Sequence, residues 1–208
     1  MNSQNQNNLI LSAMQEWFEA GAVIVPLLGE YIDDYSHLSD EEYDRWKRPL
    51  GSWKDDREKL FQQALTRYKS KKHLIGLIPA SLGIVCIDVD EGDHDDVIAL
   101  LDQHEIACTI AKTPGGAHLF VKDGGWPSGN MKWEFGSASG DIRYDKGYIV
   151  VWEILAIKRQ LIISDTSLGA GEQIANLLKP KKQKGKKQKG MFKPPHPKHT
   201  QHLSLIHI

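Results

Sequence analysis

Two carboxylates close an apolar run at Ile84-Val85-Cys86-Ile87-Asp88-Val89-Asp90. A run this short, rich in β-branched residues, reads as a buried strand. Side chains alternate along a strand, so Asp88 and Asp90 share a face, roughly 7 Å apart at their α-carbons. Like charges at the end of a buried strand repel, and desolvating them is costly. A divalent cation held by carboxylate oxygens offsets that cost, and a hard ion such as Mg²⁺ suits such ligands. The same residues also fit a plain strand end, with Asp90-Glu91-Gly92-Asp93 as a solvent-exposed turn.

Two later stretches carry groups that could complete a site. They are Thr113-Pro114-Gly115-Gly116-Ala117-His118 and Gly140-Asp141-Ile142-Arg143. Each is weak alone. Paired aspartates serve nucleases, phosphatases and glycosyltransferases alike, a Gly-Gly hairpin is ordinarily a turn, and a single strand histidine is more often structural than catalytic.

The elements that must position these groups follow from periodicity. Ile10, Ala13, Met14 and Trp17 fall at helical spacing, which predicts a helix over Leu9–Ala20 ended by Gly21. Residues 22–27 read as a strand. A long loop over 29–53 holds a short helix at Asp40–Lys47 that Ser39 can cap. Leu60, Phe61, Ala64, Leu65 and Tyr68 form the apolar stripe of a helix over Asp55–Lys69, with acids at its start that suit the helix dipole. Leu74–Pro79 is a short strand. After the Asp88 strand, Asp93 can cap a helix from His94 to about His104. Ile106–Lys112 and Ala117–Lys122 then read as a hairpin. Residues 124–129 are loop, 135–141 are small and polar, Asp141–Tyr144 begins a strand-turn unit, and Tyr148–Trp152 is a further strand. This order indicates a mixed-sheet α/β or α+β domain.

Size and composition bound the rest. The 208 residues suffice for one substantial domain, or a domain and a tail. An apolar content of 40% and a charged content of 25% are those of an ordinary soluble globular protein. No apolar run approaches the roughly 18 residues that cross a membrane. The polar start Met1–Asn8 lacks the basic end and apolar core of a signal peptide. Cys86 and Cys108 sit in apolar runs and read as buried thiols, not as a disulfide framework or zinc set. A cytoplasmic, non-membrane protein is expected.

The net charge of −1 conceals two electrostatic objects. Residues 179–198 hold nine lysines and no acid, which leaves 17 basic against 27 acidic side chains, about −10, in the rest. The tail could anchor to nucleic acid, whereas the body needs local basic patches or bound metal to approach a polyanion. The expected organisation is a disordered start at 1–8, a catalytic domain over 9–178 and a Lys/Pro-rich disordered tail over 179–208. Leu203–Ile208 continue no pattern, as at an end that is truncated or not natural.

Taken in order, the three polar stretches resemble the bifunctional primase–polymerase domain of the archaeo-eukaryotic primase superfamily. The resemblance runs from about residue 9 to residue 152, and takes in Ile24–Leu27, Lys47-Arg48-Pro49 with Trp53, and the Gly76 strand. In that family an apolar strand ends in an acidic pair, a Gly-Gly-x-His strand follows, and a third Asp precedes an Arg. The resemblance implies an α+β fold, in which an RRM-like mixed or antiparallel catalytic sheet packs with an N-terminal α/β unit and flanking helices.

It also implies template-directed DNA synthesis from nucleoside triphosphates with Mg²⁺ or Mn²⁺, in the replication of a phage, plasmid or other mobile element. The partners are a single-stranded DNA template and nucleoside triphosphates, with a replicative helicase as a further one. Two-metal phosphoryl transfer needs carboxylates that hold ions about 3.5–4 Å apart, a role that falls to Asp88, Asp90 and Asp141. His118, Gly115, Gly116 and Arg143 would bind the nucleotide, His118 by donating to phosphate and the glycines by letting backbone N–H groups come close. Arg143 would take phosphate or base, or orient Asp141. Lys112 and Lys122 fit either phosphate contacts or solvated strand ends. The family's Pro-Pro-Ser segment has no counterpart, because Val150-Val151-Trp152-Glu153-Ile154 stands there.

Two other readings remain open. One is a catalytically weak DNA-binding module of replication initiation that grips DNA through its tail. The other is a different metal-dependent phosphotransferase or nuclease, which leaves His118 and Arg143 unexplained.

Overall fold

A computed structural model describes residues 3–32, 34–127, 129–152 and 170–180. Its elements in chain order are α1 (Ser3–Glu19), β1 (Ile24–Glu30), α2 (Asp40–Trp46), α3 (Arg57–Lys71), β2 (His73–Leu77), a 3₁₀ turn (Pro79–Leu82) and β3 (Ile84–Glu91). There follow α4 (His94–Gln103), β4 (Thr109–Thr113), β5 (Gly116–Lys122), β6 (Met131–Phe135), β7 (Ala138–Arg143), β8 (Ile149–Val150), α5 (Ala170–Leu177) and β9 (Lys179–Pro180).

Two antiparallel sheets result. One has three strands in the order β1-β2-β8, and the other six in the order β4-β5-β3-β7-β6-β9. Both neighbours of β3 run antiparallel to it, and β5 lies between β3 and β4. The β3–α4–β4 crossover is therefore a split βαβ unit, the arrangement expected of an RRM-like sheet. The mixed-or-antiparallel expectation resolves to antiparallel.

The core explains the apolar run before Asp88. Ile84 and Cys86 face the N-terminal unit, packing with Met14, Trp17, Phe61, Tyr68, Ile75 and Leu77. Val85, Ile87 and Val89 face the other way, against Val97 and Leu101 of α4 and Ile174 of α5. A strand covered on both faces reads as a continuous apolar run, not as an alternation. Local signals set the helix starts. Ser39 and Glu42 form a capping box on α2, Asp56 caps α3 and Asp93 caps α4.

The structure corrects several boundaries. α1 starts at Ser3, inside the stretch expected to be disordered, because a helix anchored by the buried Ala13, Met14 and Trp17 propagates at little cost. β4 starts at Thr109, and Cys108 just before it is only half-buried. Residues 131–143 form a full hairpin, of which the sequence shows only the second half. β8 is two residues long and joins the three-stranded sheet beside β2, not the six-stranded one. Lys179–Pro180 pairs with Trp133–Glu134, so the sheet continues past the expected boundary at residue 178. The Lys/Pro-rich tail from residue 181 on, and the segment from Glu153, lie outside the described residues. Among the described residues no helix is long and apolar enough to cross a membrane.

Candidate active site

Strand register builds the site. Asp88 of β3 lies opposite His118 of β5 on one side and opposite Asp141 of β7 on the other. Directly opposed residues in antiparallel strands share a face, with α-carbons about 4.5–5.5 Å apart. The row continues outward to Ala111 on β4 and Lys132 on β6. One strand step along the same face lie Phe120, Cys86 and Arg143 in register. Cys86 and Phe120 are buried under the N-terminal unit. The polar row thus begins where that cover stops.

A β-bulge then re-aims the strand end. Val89 pairs with Gly140 but Glu91 with Ser139, so Asp90 is the extra residue. Bulges bend the strand and redirect side chains. Here the bulge brings Glu91 onto the face of Asp88, where Ser139 Oγ donates to Glu91 Oε2 at 3.1 Å. Simple alternation puts Glu91 on the opposite face, which is why it escapes a sequence reading.

Glycines let the flanking strands press against this segment. A Cβ on Gly116 would run into the Val89 carbonyl oxygen, and one on Gly140 into the Asp88 carbonyl oxygen. Gly115 is exposed in the adjoining turn, with nothing near its would-be Cβ.

The charges are partly paired. His118 Nε2 stands 3.3 Å from Asp88 Oδ1, and the histidine is only 5% exposed. Its Nδ1 is buried without a hydrogen-bond partner among the described residues. Arg143 Nη2 donates to Asp141 Oδ2 in a direct ion pair. Asp90 stands open at the strand end. Desolvation of its carboxyl, then the negative charges of Asp88 and Asp141, push its pKa up to about 6 against the pull of Arg143 and His118. The three aspartates therefore share one electrostatic site. Tyr43 of α2, stacked on Trp152 in the N-terminal unit, feels the same charges. Burial first, then Tyr35, Asp88, Asp44 and Asp90, push its phenol up to about 12.

One expectation is corrected by this geometry. Lys112 pairs with Ala117, which pairs with Val89, so it lies on the α4-facing side of the sheet and away from the row. The period of two decides this, since His118 lies opposite Ala111. Among the described residues no group of three His, Cys, Asp or Glu is arranged to hold an ion. Asp88 faces His118, and Asp141 pairs with Arg143. Sequence reading also misses Lys132 and Tyr43. The first is fixed by hairpin register and the second by tertiary packing, and neither leaves a local signature.

A family model described as bifunctional DNA primase/polymerase, N-terminal (Prim-Pol) matches residues 14–157, well over half of the chain. The chain belongs to the Prim-Pol family. Comparison with curated proteins and with solved structures gives no match.

Proposed function

We propose that this domain is a template-directed DNA primase–polymerase that transfers nucleotides by a two-metal mechanism in the replication of a phage, plasmid or other mobile element. The observation that carries the reading is the row His118–Asp88–Asp141 across three adjacent strands, with the bulged Asp90 beside it. The mobile-element setting rests on family membership alone.

The residues fit a hard divalent cation. All three acidic groups offer oxygen donors, and the raised pKa of Asp90 comes first from desolvation and then from the negative charges of Asp88 and Asp141, both of which a bound cation would offset. Asp88, Asp90 and Asp141 would hold Mg²⁺ or Mn²⁺, whose chemistry there is to clamp the attacking and leaving oxygens of a phosphoryl transfer. The protein's own groups do the rest. Arg143 fixes the Asp141 carboxylate. His118 Nε2, which stands 3.3 Å from Asp88 Oδ1, would donate to a phosphate oxygen of the bound triphosphate in this reading. Gly115 and Gly116 open the turn beside Asp90 so that backbone can approach the substrate. Single-stranded template and nucleoside triphosphates are the partners, and a helicase would supply the template.

The test is extension of a labelled primer on single-stranded DNA with Mn²⁺. The wild-type chain extends it in a template-directed order. Metal-dependent degradation of the DNA without incorporation would instead make the domain a nuclease.

A further inference from the structure

An acidic body needs local positive charge to receive a polyanion, and such charge collects where α3 ends. Residues 66–72 hold Arg67, Lys69, Lys71 and Lys72 and no acid. Arg67 is turned toward β2, with Nη2 2.9 Å from His73 Nδ1. The three lysines are exposed, and none makes an ion pair among the described residues. They line an open cleft of about 440 Å³ between this helix end and the start of α1, together with Asn7, Asn8 and Ser70. No residue lining the cleft is acidic, since α1 carries no carboxylate before Glu16 and α3 none after Glu58.

Lysines in a last helical turn ordinarily answer the helix dipole, which accounts for Lys69 and Lys71. Lys72 goes further. It caps the helix at φ 52°, in the left-handed region. Glycine is at ease there, and a side chain is strained. The backbone of Lys72 is held on both sides. Its N–H donates to the Tyr68 carbonyl at 2.8 Å, and its carbonyl accepts from Tyr31 N–H at 2.9 Å. The chain thus keeps a third ammonium group on the cleft at a position where glycine fits better.

We propose that this cleft is a docking surface for single-stranded DNA, whose phosphates lie against Lys69, Lys71 and Lys72. Charge complementarity selects the occupant. Three ammonium groups on walls free of acid suit a chain of regularly spaced negative charges, and Asn7, Asn8 and Ser70 offer hydrogen bonds to its phosphate oxygens. A lysine ammonium is a point charge on a flexible stem, so the grip is indifferent to base sequence. The inference deepens the polymerase reading, from which it takes the identity of the ligand, and rests on it.

The experiment uses the full chain and a labelled single-stranded oligonucleotide, with binding read by anisotropy across a salt series. The variants are the triple Lys69→Gln/Lys71→Gln/Lys72→Gly, Lys72→Gly alone, and Lys112→Gln, which removes a charge from the α4-facing side of the six-stranded sheet. The triple variant is expected to lose at least about tenfold in affinity at low salt and about 2 from the salt slope, near 0.7 for each phosphate contact. Lys72→Gly is expected to lose about 0.7 from the slope while its Tm stays at or above that of the wild type, because glycine relieves the cap. Lys112→Gln should change neither. A folded triple variant that keeps the wild-type affinity and salt slope overturns the proposal and leaves solvated lysines that answer the helix dipole. Loss of tripolyphosphate binding with oligonucleotide binding intact also overturns it, and makes the cleft a small-anion site. These measurements need no turnover. A chain that never extends a primer yet loses oligonucleotide affinity in the triple variant refutes the polymerase reading only. A chain that extends primers while the triple variant binds as wild type refutes the docking surface only.

Discussion

Asp90 carries the sharpest electrostatic signature of the site, and it titrates in an accessible range. Its carboxyl near 6 in the folded chain compares with about 4 in the unfolded one. The folded state therefore holds the proton more tightly. This group's contribution to stability is full below about pH 4, falls as pH rises to about 6, and is flat above. Because the residue is open to solvent, the effect is small. Asp90→Asn is expected to raise Tm at pH 7 by roughly 2 °C, with the difference from wild type vanishing at pH 4. A scan of Tm against pH checks this, and an unchanged or lowered Tm at pH 7 contradicts it. The same proton must leave before an ion binds. Mn²⁺ affinity, read by calorimetry, should climb as pH passes 6 in the wild type and lose that dependence in Asp90→Asn. His118 contributes differently. It is buried and shares Nε2 with Asp88, so His118→Ala is expected to raise KM for nucleotide about tenfold and to lower kcat as Asp88 loses its partner. An unchanged KM would remove His118 from nucleotide binding.

At the scale of elements, two glycines decide whether the row can form. Gly116 and Gly140 press their strands against the backbone of Val89 and Asp88 from opposite sides. Gly140→Ala is expected to cost at least about 2 kcal/mol in urea unfolding and to lower primer extension at least tenfold, because the Asp88–Asp141 register must shift. Equal stability and activity would show that the strands have slack there. Much of this arrangement is legible in the sequence, for a physical reason. β3 is covered on both faces, so its apolar run is continuous up to Asp88. Asp93 and Ser39 are capping residues that announce their helices. The hairpin β6–β7 is half hidden, because Ala138–Gly140 at the start of β7 are small and carry no apolar pattern, so the short alternation Met131, Trp133, Phe135 of β6 has no recognisable partner beside it. The bulge at Asp90 is silent too, since nothing local distinguishes an extra residue from a paired one. It moves Glu91 to the site face. Lys112 fails for the converse reason, as alternation counted from His118 across two strands sends it to the other face.

For the whole molecule, charge and cover set where a substrate can come from. The N-terminal unit buries one half of the sheet face, through Cys86 and Phe120, and leaves the other half to Asp88, Asp141 and His118. With the lysine-rich stretch 179–198 set apart, the remaining chain is strongly acidic. Removal of residues 181–208 is therefore expected to weaken single-stranded DNA binding and flatten its salt dependence. The extension rate at saturating DNA should stay within about twofold, since affinity lost uniformly raises KM without lowering kcat. Loss of the rate itself would tie the tail to catalysis and favour a DNA-gripping module.

The central claim is that Asp88, Asp90 and Asp141 act as one set on a bound triphosphate. A double-mutant cycle of Asp88→Ala and Asp141→Ala on single-nucleotide incorporation with Mn²⁺ tests it most directly. Residues that act as a unit are strongly non-additive. Each single variant should lose at least about a thousandfold in kcat, and the double variant should lose little more than either. Near-normal incorporation by Asp141→Ala, or losses that multiply in the double variant, would contradict it.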